Sequence, residues 1–551
     1  MPRGRDILVL LAMWFFAAVF ELTKATYIDD TAHLEIARAI LANPWHPMSG
    51  LVNWADTAAP IHVLNQPHLL FYLIAATMKL VPGHLELALH AVWLLFSGLA
   101  IAMFFGLARR LEVARPLTWT AIFCLGPAFI PSQNLMVDIP LVALWLAFFY
   151  ALITFEGWGG LVAAAVLVGA ACLVKYSSLV LIPILGVVVT RLRRLSALAL
   201  LLVPIGVLAA WSLFNWWDYG GIHILERPIA TTAMPGLLRR LGVIGARAGL
   251  WLVALGAVCP FAAVFVGPLW RTRGGRGVAI AAPTIAVGAF AVGRLALSGE
   301  PIIQSILRGV FLANGVLVAA LAIRARDRGA EARQPQTGHP SPAGLLAVWA
   351  LGAALFIVVL SPFIAVRHVL LSLPAILLLI ARGPDALAVS HRGWALVVAS
   401  TALFGGVLGA SDARLAAVYR QEAPELAARF CPAGVRCVAI GHWGWQWYAE
   451  QAGLLIYDRA RTELLAGDRV IISELVGREP LAPGDAARLR LLAEIDVPAT
   501  ISSWFRTMAT EKSGAQGNRS GGYYYFWTSV PWTVTTRPLD RFFVYEVTTP
   551  L

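Results

Sequence analysis

The chain has 551 residues, of which 59% are hydrophobic and 13% charged, and its mean hydropathy is +0.73. Such a composition excludes a single soluble core and indicates a polytopic membrane protein. The net charge of +12 does not indicate nucleic-acid binding, because the arginines cluster in short breaks between apolar runs. Cytoplasmic loops have this pattern under the positive-inside rule.

The N-terminus carries Arg3 and Arg5 before an apolar run, and no small-x-small cleavage site follows. We therefore expect an uncleaved first helix with its N-terminus in the cytoplasm. Apolar runs between polar breaks predict about thirteen transmembrane helices: 7–26, 86–108, 116–133, 138–155, 160–174, 177–190, 197–214, 242–268, 278–297, 302–323, 343–361, 368–382 and 393–410. Two of them are short, so a broken helix at Lys175 is an alternative.

The arginine clusters give an orientation. If the N-terminus lies in the cytoplasm, every second break between apolar runs is cytoplasmic, and these breaks carry the arginine clusters. The breaks on the opposite side contain the acidic pair Asp29-Asp30, Asp138, Lys175 and Arg367. An odd number of helices then places the C-terminal region outside. The composition, rich in Ala, Gly and Arg, suggests a bacterium. We predict a multi-pass protein of the inner (cytoplasmic) membrane with an extracytoplasmic, periplasmic C-terminal domain.

Two regions are predicted. Residues 1–410 form a transmembrane domain with loop helices over 28–82 on its outer face, where 66–81 favours an interfacial or re-entrant helix. From residue 411 the apolar runs shorten, and 411–551 is predicted to be a soluble α/β domain. Its predicted strands are 435–440, 469–473 and 541–547, and its predicted helices are 424–430 and 446–452. Cys431 and Cys437 lie there and could form a disulfide outside the membrane.

The polar residues of interest are grouped on the outer side. A carboxylate near the interface can act as general base on an acceptor hydroxyl, and cations at the same depth can hold a phosphate leaving group. The chain has only four lysines, so Lys175 at membrane depth is not explained by general basicity. The candidates on that side are Asp29, Asp30, His33, Glu35, Gln66, His68, Asp138, Lys175, Arg367 and His368.

Each candidate also has a structural explanation. Asp29, Asp30 and Asp138 could cap the helices that follow them, because acidic residues favour helix N-termini. Lys175 could extend its ammonium to the interface, and Arg367 could anchor a helix end there. The histidines do not have the close helical spacing of a shared metal site. The aromatic runs 441–448 and 523–527 could stack on sugars or fill the core of a small domain.

Five segments together resemble the GT-C superfamily of membrane glycosyltransferases, most nearly the protein O-mannosyltransferases and the lipid A aminoarabinose transferase (glycosyltransferase family 39-like). Asp29-Asp-Thr-Ala-His-Leu-Glu-Ile-Ala-Arg38 looks like the acidic motif of their first outer loop, and Asn65-Gln-Pro-His-Leu-Leu-Phe-Tyr72 is similar to the segment after it. Residues 134–140, 174–176 and 367–374 look like later segments in the same order.

The resemblance implies a GT-C fold and an inverting transfer of a hexose or pentose from a polyprenyl-phosphate donor. The acceptor would be a hydroxyl of a protein, lipid or cell-envelope glycan at the outer face. Asp29 would be the base, assisted by Asp30 or Asp138, with Lys175, Arg367 and His368 on the donor phosphate. We expect the acceptor or sugar to meet His33, Glu35, Gln66 and His68. No cofactor is certain; any divalent cation would take Asp29 and Asp30. The alternative function is a transporter or lipid flippase, which predicts internal repeats and charges on both sides.

Overall fold

The computed structural model describes residues 3–550 except 65, 156, 192–194, 229–235, 297–301, 332–340, 477–483, 485–486, 511–518 and 527–529. The protein is mostly α-helical, and its β-strands are concentrated toward the C-terminus, as the sequence predicts. The α-helices are α1 (Gly4–Glu21), α2 (Asp30–Ala42), α3 (Leu69–Leu80), α4 (Leu85–Arg110), α5 (Pro116–Cys124), α6 (Asp138–Thr154), α7 (Trp158–Val174), α8 (Leu181–Arg191), α9 (Leu202–Tyr219), α10 (Leu237–Val258), α11 (Val266–Trp270), α12 (Arg273–Ala296), α13 (Ile302–Glu331), α14 (Pro342–Leu355), α15 (Leu373–Arg382), α16 (Pro384–Leu387), α17 (His391–Phe430) and α18 (Trp443–Gln451).

Within the described ranges, seven helical stretches are long and apolar enough to cross a membrane. They are Leu85–Arg110, Ser196–Tyr219, Leu237–Val258, Arg273–Leu295, Ile302–Arg326, Pro342–Leu360 and His391–Phe430. Shorter apolar helices such as α6 and α15 lie among them and are largely buried, so they belong to the interior of the bundle. The total of thirteen spans stays a prediction.

Two predicted helices are interrupted, and a third break lies between two predicted helices. The helix predicted over 116–133 ends at Cys124, because Pro127 and Pro131 in the following turns lack the backbone N–H that a helix needs. The helix predicted over 242–268 breaks before Pro260 for the same reason. At Lys175 the backbone is extended (φ −159°, ψ 134°) between α7 and the 3-10 helix Tyr176–Val180, so the chain divides where the sequence predicts a break, and the broken helix stays an alternative.

Helix α17 connects the membrane bundle to the C-terminal region. It has 40 residues and is therefore about 60 Å long, twice the thickness of a bilayer core. It passes through residue 410 without interruption, so the boundary predicted between the transmembrane domain and the C-terminal domain falls inside a helix. The division into these two domains stays a prediction.

The C-terminal region contains a five-stranded mixed sheet. Its strands are β3 (Cys437–Ile440), β4 (Leu455–Ile456), β5 (Arg469–Ser473), β6 (Leu489–Val497) and β11 (Asp540–Val547), in the order β4-β3-β5-β11-β6. β3 runs parallel to β4 and β5, and β11 runs antiparallel to β5 and β6. Smaller antiparallel pairs join β7 (Phe505–Arg506) to β10 (Thr533–Val534) and β8 (Ala509–Thr510) to β9 (Arg519–Ser520). Cys431 and Cys437 form a disulfide between α17 and β3.

The segment between α1 and α4 contacts this C-terminal region. It consists of α2, the hairpin β1 (Leu51–Asn53) and β2 (Ala58–Pro60), and α3. Most apolar side chains of α2 are buried, among them Leu34, Ala37 and Ile40, whereas Leu41 near its C-terminal end is exposed. Helix α2 packs against α3 on one side and against α18 of the C-terminal region on another.

Candidate active site

A sharp turn between α1 and α2 presents Asp29. Ile28, just before it, has φ of 53°, in the left-handed region that a β-branched residue seldom adopts. Asp30 stabilises the turn, because its Oδ2 accepts a hydrogen bond from the backbone N–H of Tyr27 at 3.1 Å. The two adjacent acidic residues therefore have separate roles: Asp30 is fully buried inside the turn, and Asp29 lines a cavity.

Asp29 belongs to a row of four alternating charges. Lys175 Nζ lies 3.3 Å from Asp138 Oδ1, and Arg367 Nη1 lies 2.9 Å from Asp138 Oδ2. The other terminal nitrogen of Arg367, Nη2, lies 3.3 Å from Asp29 Oδ2. Arg367 and Asp138 are nearly excluded from solvent, whereas Lys175 and Asp29 at the two ends of the row are partly exposed. Four residues selected from the sequence for their predicted side of the membrane are thus in contact.

Four separate segments contribute this row. Asp138 begins α6, Lys175 lies in the extended link after α7, and Arg367 lies in the 3-10 helix Val366–Leu371. The C-terminal region holds that 3-10 helix in place, because Val366 N–H donates to Gly522 O at 2.9 Å and Arg367 N–H donates to Tyr523 O at 3.3 Å.

The predicted histidines lie at different places around the row. His33 lies on α2 next to Asp29, and its Nδ1 is 3.1 Å from the carbonyl oxygen of Leu135. His368 packs on the ring of Phe363, and neither of its nitrogens has a hydrogen-bond partner among the described residues. His68 is buried between Phe71 and Trp211, and burial lowers its pKa to about 3.

Glu35 and Gln66 are separated from each other. Glu35 Oε1 accepts a hydrogen bond from Gln446 Nε2 at 2.5 Å and its Oε2 accepts one from Asn53 N–H at 3.2 Å. It therefore connects α2 to the hairpin and to α18 rather than facing the cavity. Burial raises the pKa of Glu35 to about 7. Gln66, in contrast, lines the cavity.

The cavity at Asp29 has a volume of about 270 Å³ and mixes polar groups with aromatic rings. It is lined by Ile28, Asp29, Ala32, His33, Trp54, Leu64, Gln66, Phe363, Arg367, Trp443, Tyr524 and Tyr525. The aromatic runs divide between two places: Trp445 and Tyr523 are core residues, whereas Trp443, Tyr524 and Tyr525 line the cavity, and sugar stacking there stays a prediction. Trp54 and Phe363 had no sequence signal, since each is a single aromatic residue in a loop.

A second buried network was not predicted. Lys24 Nζ lies 2.7 Å from Asp412 Oδ2 and also donates to the carbonyl oxygen of Gln133 at 2.9 Å. Asp412 accepts further hydrogen bonds from Thr507 Oγ1 at 2.6 Å and Tyr524 Oη at 2.7 Å. These contacts fasten the wall of the cavity to α1 and α17. The scarcity of lysine in the chain marks Lys24 as well as Lys175, and it is the sequence signal that points to this network.

The carboxylates of Asp29 and Asp30 have different partners. Oδ2 of Asp30 accepts a hydrogen bond from the backbone of its own turn, whereas Oδ2 of Asp29 pairs with Arg367. Among the described residues, no group of three or more His, Cys, Asp or Glu side chains is placed to hold a metal ion.

Several solved structures are similar to this chain. ArnT from Cupriavidus metallidurans in the apo state has 16% identity over 85% of this chain and 92% of its own, with a TM-score of 0.36. The oligosaccharyltransferase AglB from Archaeoglobus fulgidus, in complex with an inhibitory peptide and a dolichol-phosphate, has 12% identity over 85% of this chain and 69% of its own, with a TM-score of 0.45. The mycobacterial arabinofuranosyltransferase AftD has 14% identity over 100% of this chain and 40% of its own, with a TM-score of 0.38. No family model and no curated protein matches the sequence. Because the identities and TM-scores are this low, the similarity to these structures is not used to argue a function. The function proposed below is argued from the geometry of the site.

Proposed function

We propose that this protein is a GT-C-type membrane glycosyltransferase that moves a sugar from a polyprenyl phosphate to an acceptor hydroxyl. The observation that carries the proposal is the row Lys175–Asp138–Arg367–Asp29, which ends in a cavity beside the apolar helix bundle. Two cations next to a carboxylate are what a phosphate leaving group and an acceptor hydroxyl require.

The cations of the row are the proposed donor phosphate site. Arg367 presents a planar guanidinium suited to phosphate, and Lys175 contributes a second positive charge. His368 is buried nearby, and its ring nitrogens are free to bond a donor oxygen as far as the described residues go. Asp138 contacts both cations and positions them. The polyprenyl tail would lie against the apolar helices.

Asp29 is the proposed general base. The acceptor oxygen attacks the anomeric carbon, and the bond from that carbon to the phosphate oxygen breaks. The bonding electrons leave with the polyprenyl phosphate, whose charge Lys175 and Arg367 stabilise, and the acceptor proton passes to Asp29. A single displacement of this kind inverts the anomeric carbon. Asp30 takes no direct part, because its carboxylate is buried in the turn.

His33 and Gln66 are proposed to contact the sugar or the acceptor, because both line the cavity with Asp29. Glu35 supports the site indirectly, through Asn53 and Gln446. His68 packs behind Phe71.

Transfer of radiolabelled sugar from polyprenyl-phosphate hexoses and pentoses, measured in membranes, tests the proposal. Asp29→Asn should lower the rate about 10²- to 10⁴-fold, the usual contribution of a general base. Asp496→Asn is the matched control, since that carboxylate lies at the surface of the C-terminal sheet and pairs with Arg541. Undiminished transfer by a well-expressed Asp29→Asn protein would remove Asp29 from the mechanism. Passage of labelled donor across vesicles without any transfer would favour a flippase instead.

The proposed location is the bacterial inner membrane, with residues 1–410 as membrane domain and 411–551 on the extracytoplasmic side. Labelling of introduced cysteines tests it, because the native cysteines are buried or disulfide-bonded. Exposed Ala42→Cys and Ser502→Cys should react with an impermeant maleimide from outside, and exposed Ala114→Cys and Arg392→Cys should not. Labelling of all four from one side would contradict this topology.

A further inference from the structure

The cavity at Asp29 is walled by aromatic side chains from distant parts of the chain. Trp54 comes from the turn of the β1–β2 hairpin, Phe363 from the loop before Arg367, and Trp443, Tyr524 and Tyr525 from the C-terminal region. Trp54 is partly exposed, Tyr525 is 43% exposed, and the rings of Phe363 and Tyr525 stack with centroids 5.1 Å apart. Flat apolar surfaces therefore stand next to the carboxylate of Asp29.

The backbone on two sides of this cavity is strained. Ile28 has φ of 53° and Trp443 has φ of 57°, and neither is a residue that favours the left-handed region. Thr31 Oγ1 donates to the carbonyl oxygen of Trp443 at 2.6 Å. A Cβ at Gly444 would lie 2.4 Å from Thr26 O, so the two turns are in close contact. The surrounding contacts thus enforce the position of the Trp443 ring beside Asp29.

The cavity lies on the acceptor side of the charge row. Arg367 and Asp29 line it, whereas Asp138 and Lys175, on the far side of Arg367 in the row, do not. A phosphate held by Lys175 and Arg367 on that far side of the row would leave this cavity to the group that attacks. Its volume of about 270 Å³ is slightly below the range of drug-sized pockets, which suits one small ring.

We propose that this cavity is an acceptor subsite for a sugar ring, so that the acceptor hydroxyl belongs to a glycan; the proposal rests on the glycosyltransferase function above. The apolar face of the ring stacks on the aromatic walls, Trp54 and Tyr525 foremost, and its hydroxyls meet His33 and Gln66. The attacking hydroxyl gives its proton to Asp29 as its oxygen bonds to the donor's anomeric carbon, and polyprenyl phosphate leaves with the electrons of the broken bond.

The test uses the full chain in lipid nanodiscs with radiolabelled polyprenyl-phosphate pentoses and hexoses. Donor consumption is measured with p-nitrophenyl glycosides and, separately, with an N-acetylated Ser/Thr peptide amide. We expect transfer to glycosides. Trp54→Ala should raise the KM for the glycoside about tenfold and leave the KM for the donor unchanged, and Trp54→Phe should restore most of the loss. Trp504→Ala is the control, because this partly exposed tryptophan does not line the cavity.

Three results would overturn the inference, and they separate it from the proposed function. Transfer to the peptide but not to glycosides would refute the sugar acceptor and leave the glycosyltransferase intact. A rise in donor KM with Trp54→Ala would assign the cavity to the donor sugar. If no donor is consumed with any acceptor, the proposed function fails. Equilibrium dialysis of the glycoside against wild type and Trp54→Ala then still tests whether the cavity binds a sugar ring. Equal binding by the two proteins would refute the sugar site.

Discussion

Removal of the Arg367 guanidinium is the sharpest test of the charge row. The side chain is 5% exposed and faces Asp138 at 2.9 Å and Asp29 at 3.3 Å. At an effective dielectric constant of about 20, each of these pairs is worth ~5 kcal/mol before the cost of desolvation. Breaking a buried pair from one side typically costs ~3–5 kcal/mol net, because it leaves an uncompensated carboxylate. We expect Arg367→Gln to lower the free energy of unfolding by about that amount.

A double variant separates stability from chemistry. In Arg367→Gln/Asp29→Asn the carboxylate left without its partner is also removed, so we expect ~1–3 kcal/mol less destabilisation than the sum of the single variants. Sugar transfer should be lost in both, because the donor phosphate has lost its guanidinium.

Equilibrium unfolding of the purified protein in detergent micelles, followed by circular dichroism, measures the loss. Arg490→Gln is the matched control: its ion pair with Glu546 lies at the surface, where water and salt screen it, so its removal should leave the free energy of unfolding almost unchanged. An Arg367→Gln protein that unfolds within ~0.5 kcal/mol of wild type would refute the reasoning that this arginine holds two carboxylates together.

Three further predictions concern other parts of the site. Lys175→Gln should raise the KM for the polyprenyl-phosphate donor at least tenfold while donor-independent glycoside binding stays unchanged; equal losses of both would contradict a phosphate role. Glu35 has a pKa of about 7 against 4.5 in the unfolded chain, so the folded state holds the proton longer and stability falls as pH rises from about 4.5 to 7. Unfolding of wild type and Glu35→Gln at several pH values should diverge over that window by up to ~3 kcal/mol, and parallel curves would refute it. Lys24→Met should destabilise the protein by ~3–5 kcal/mol through the buried Asp412, and Lys24→Met/Asp412→Leu should recover part of this; no recovery in thermal unfolding would contradict the pairing.

Much of the architecture was predictable because it depends on local patterns. Apolar runs specify most of the helices, and a short apolar run specifies the strand 469–473, which the structure has at the same bounds. The arginine pattern predicted a common side of the membrane for Asp138, Lys175 and Arg367, and the structure brings their side chains into contact. The interruption after Cys124 is not predicted by the apolar composition of 116–133, which is continuous across Pro127 and Pro131.

The sequence by itself determined which residues were candidates, since charges in a membrane protein must lie where water or a counter-ion can reach them. Only the tertiary structure decided their roles. Asp29 and Asp30 are adjacent in sequence, yet successive side chains on a helix point about 100° apart, so one lines the cavity and the other is buried. Arg367 meets Asp29 across 338 residues, and Lys24 meets Asp412 across a comparable distance. Such contacts depend on how the helices pack, which no local pattern of residues encodes.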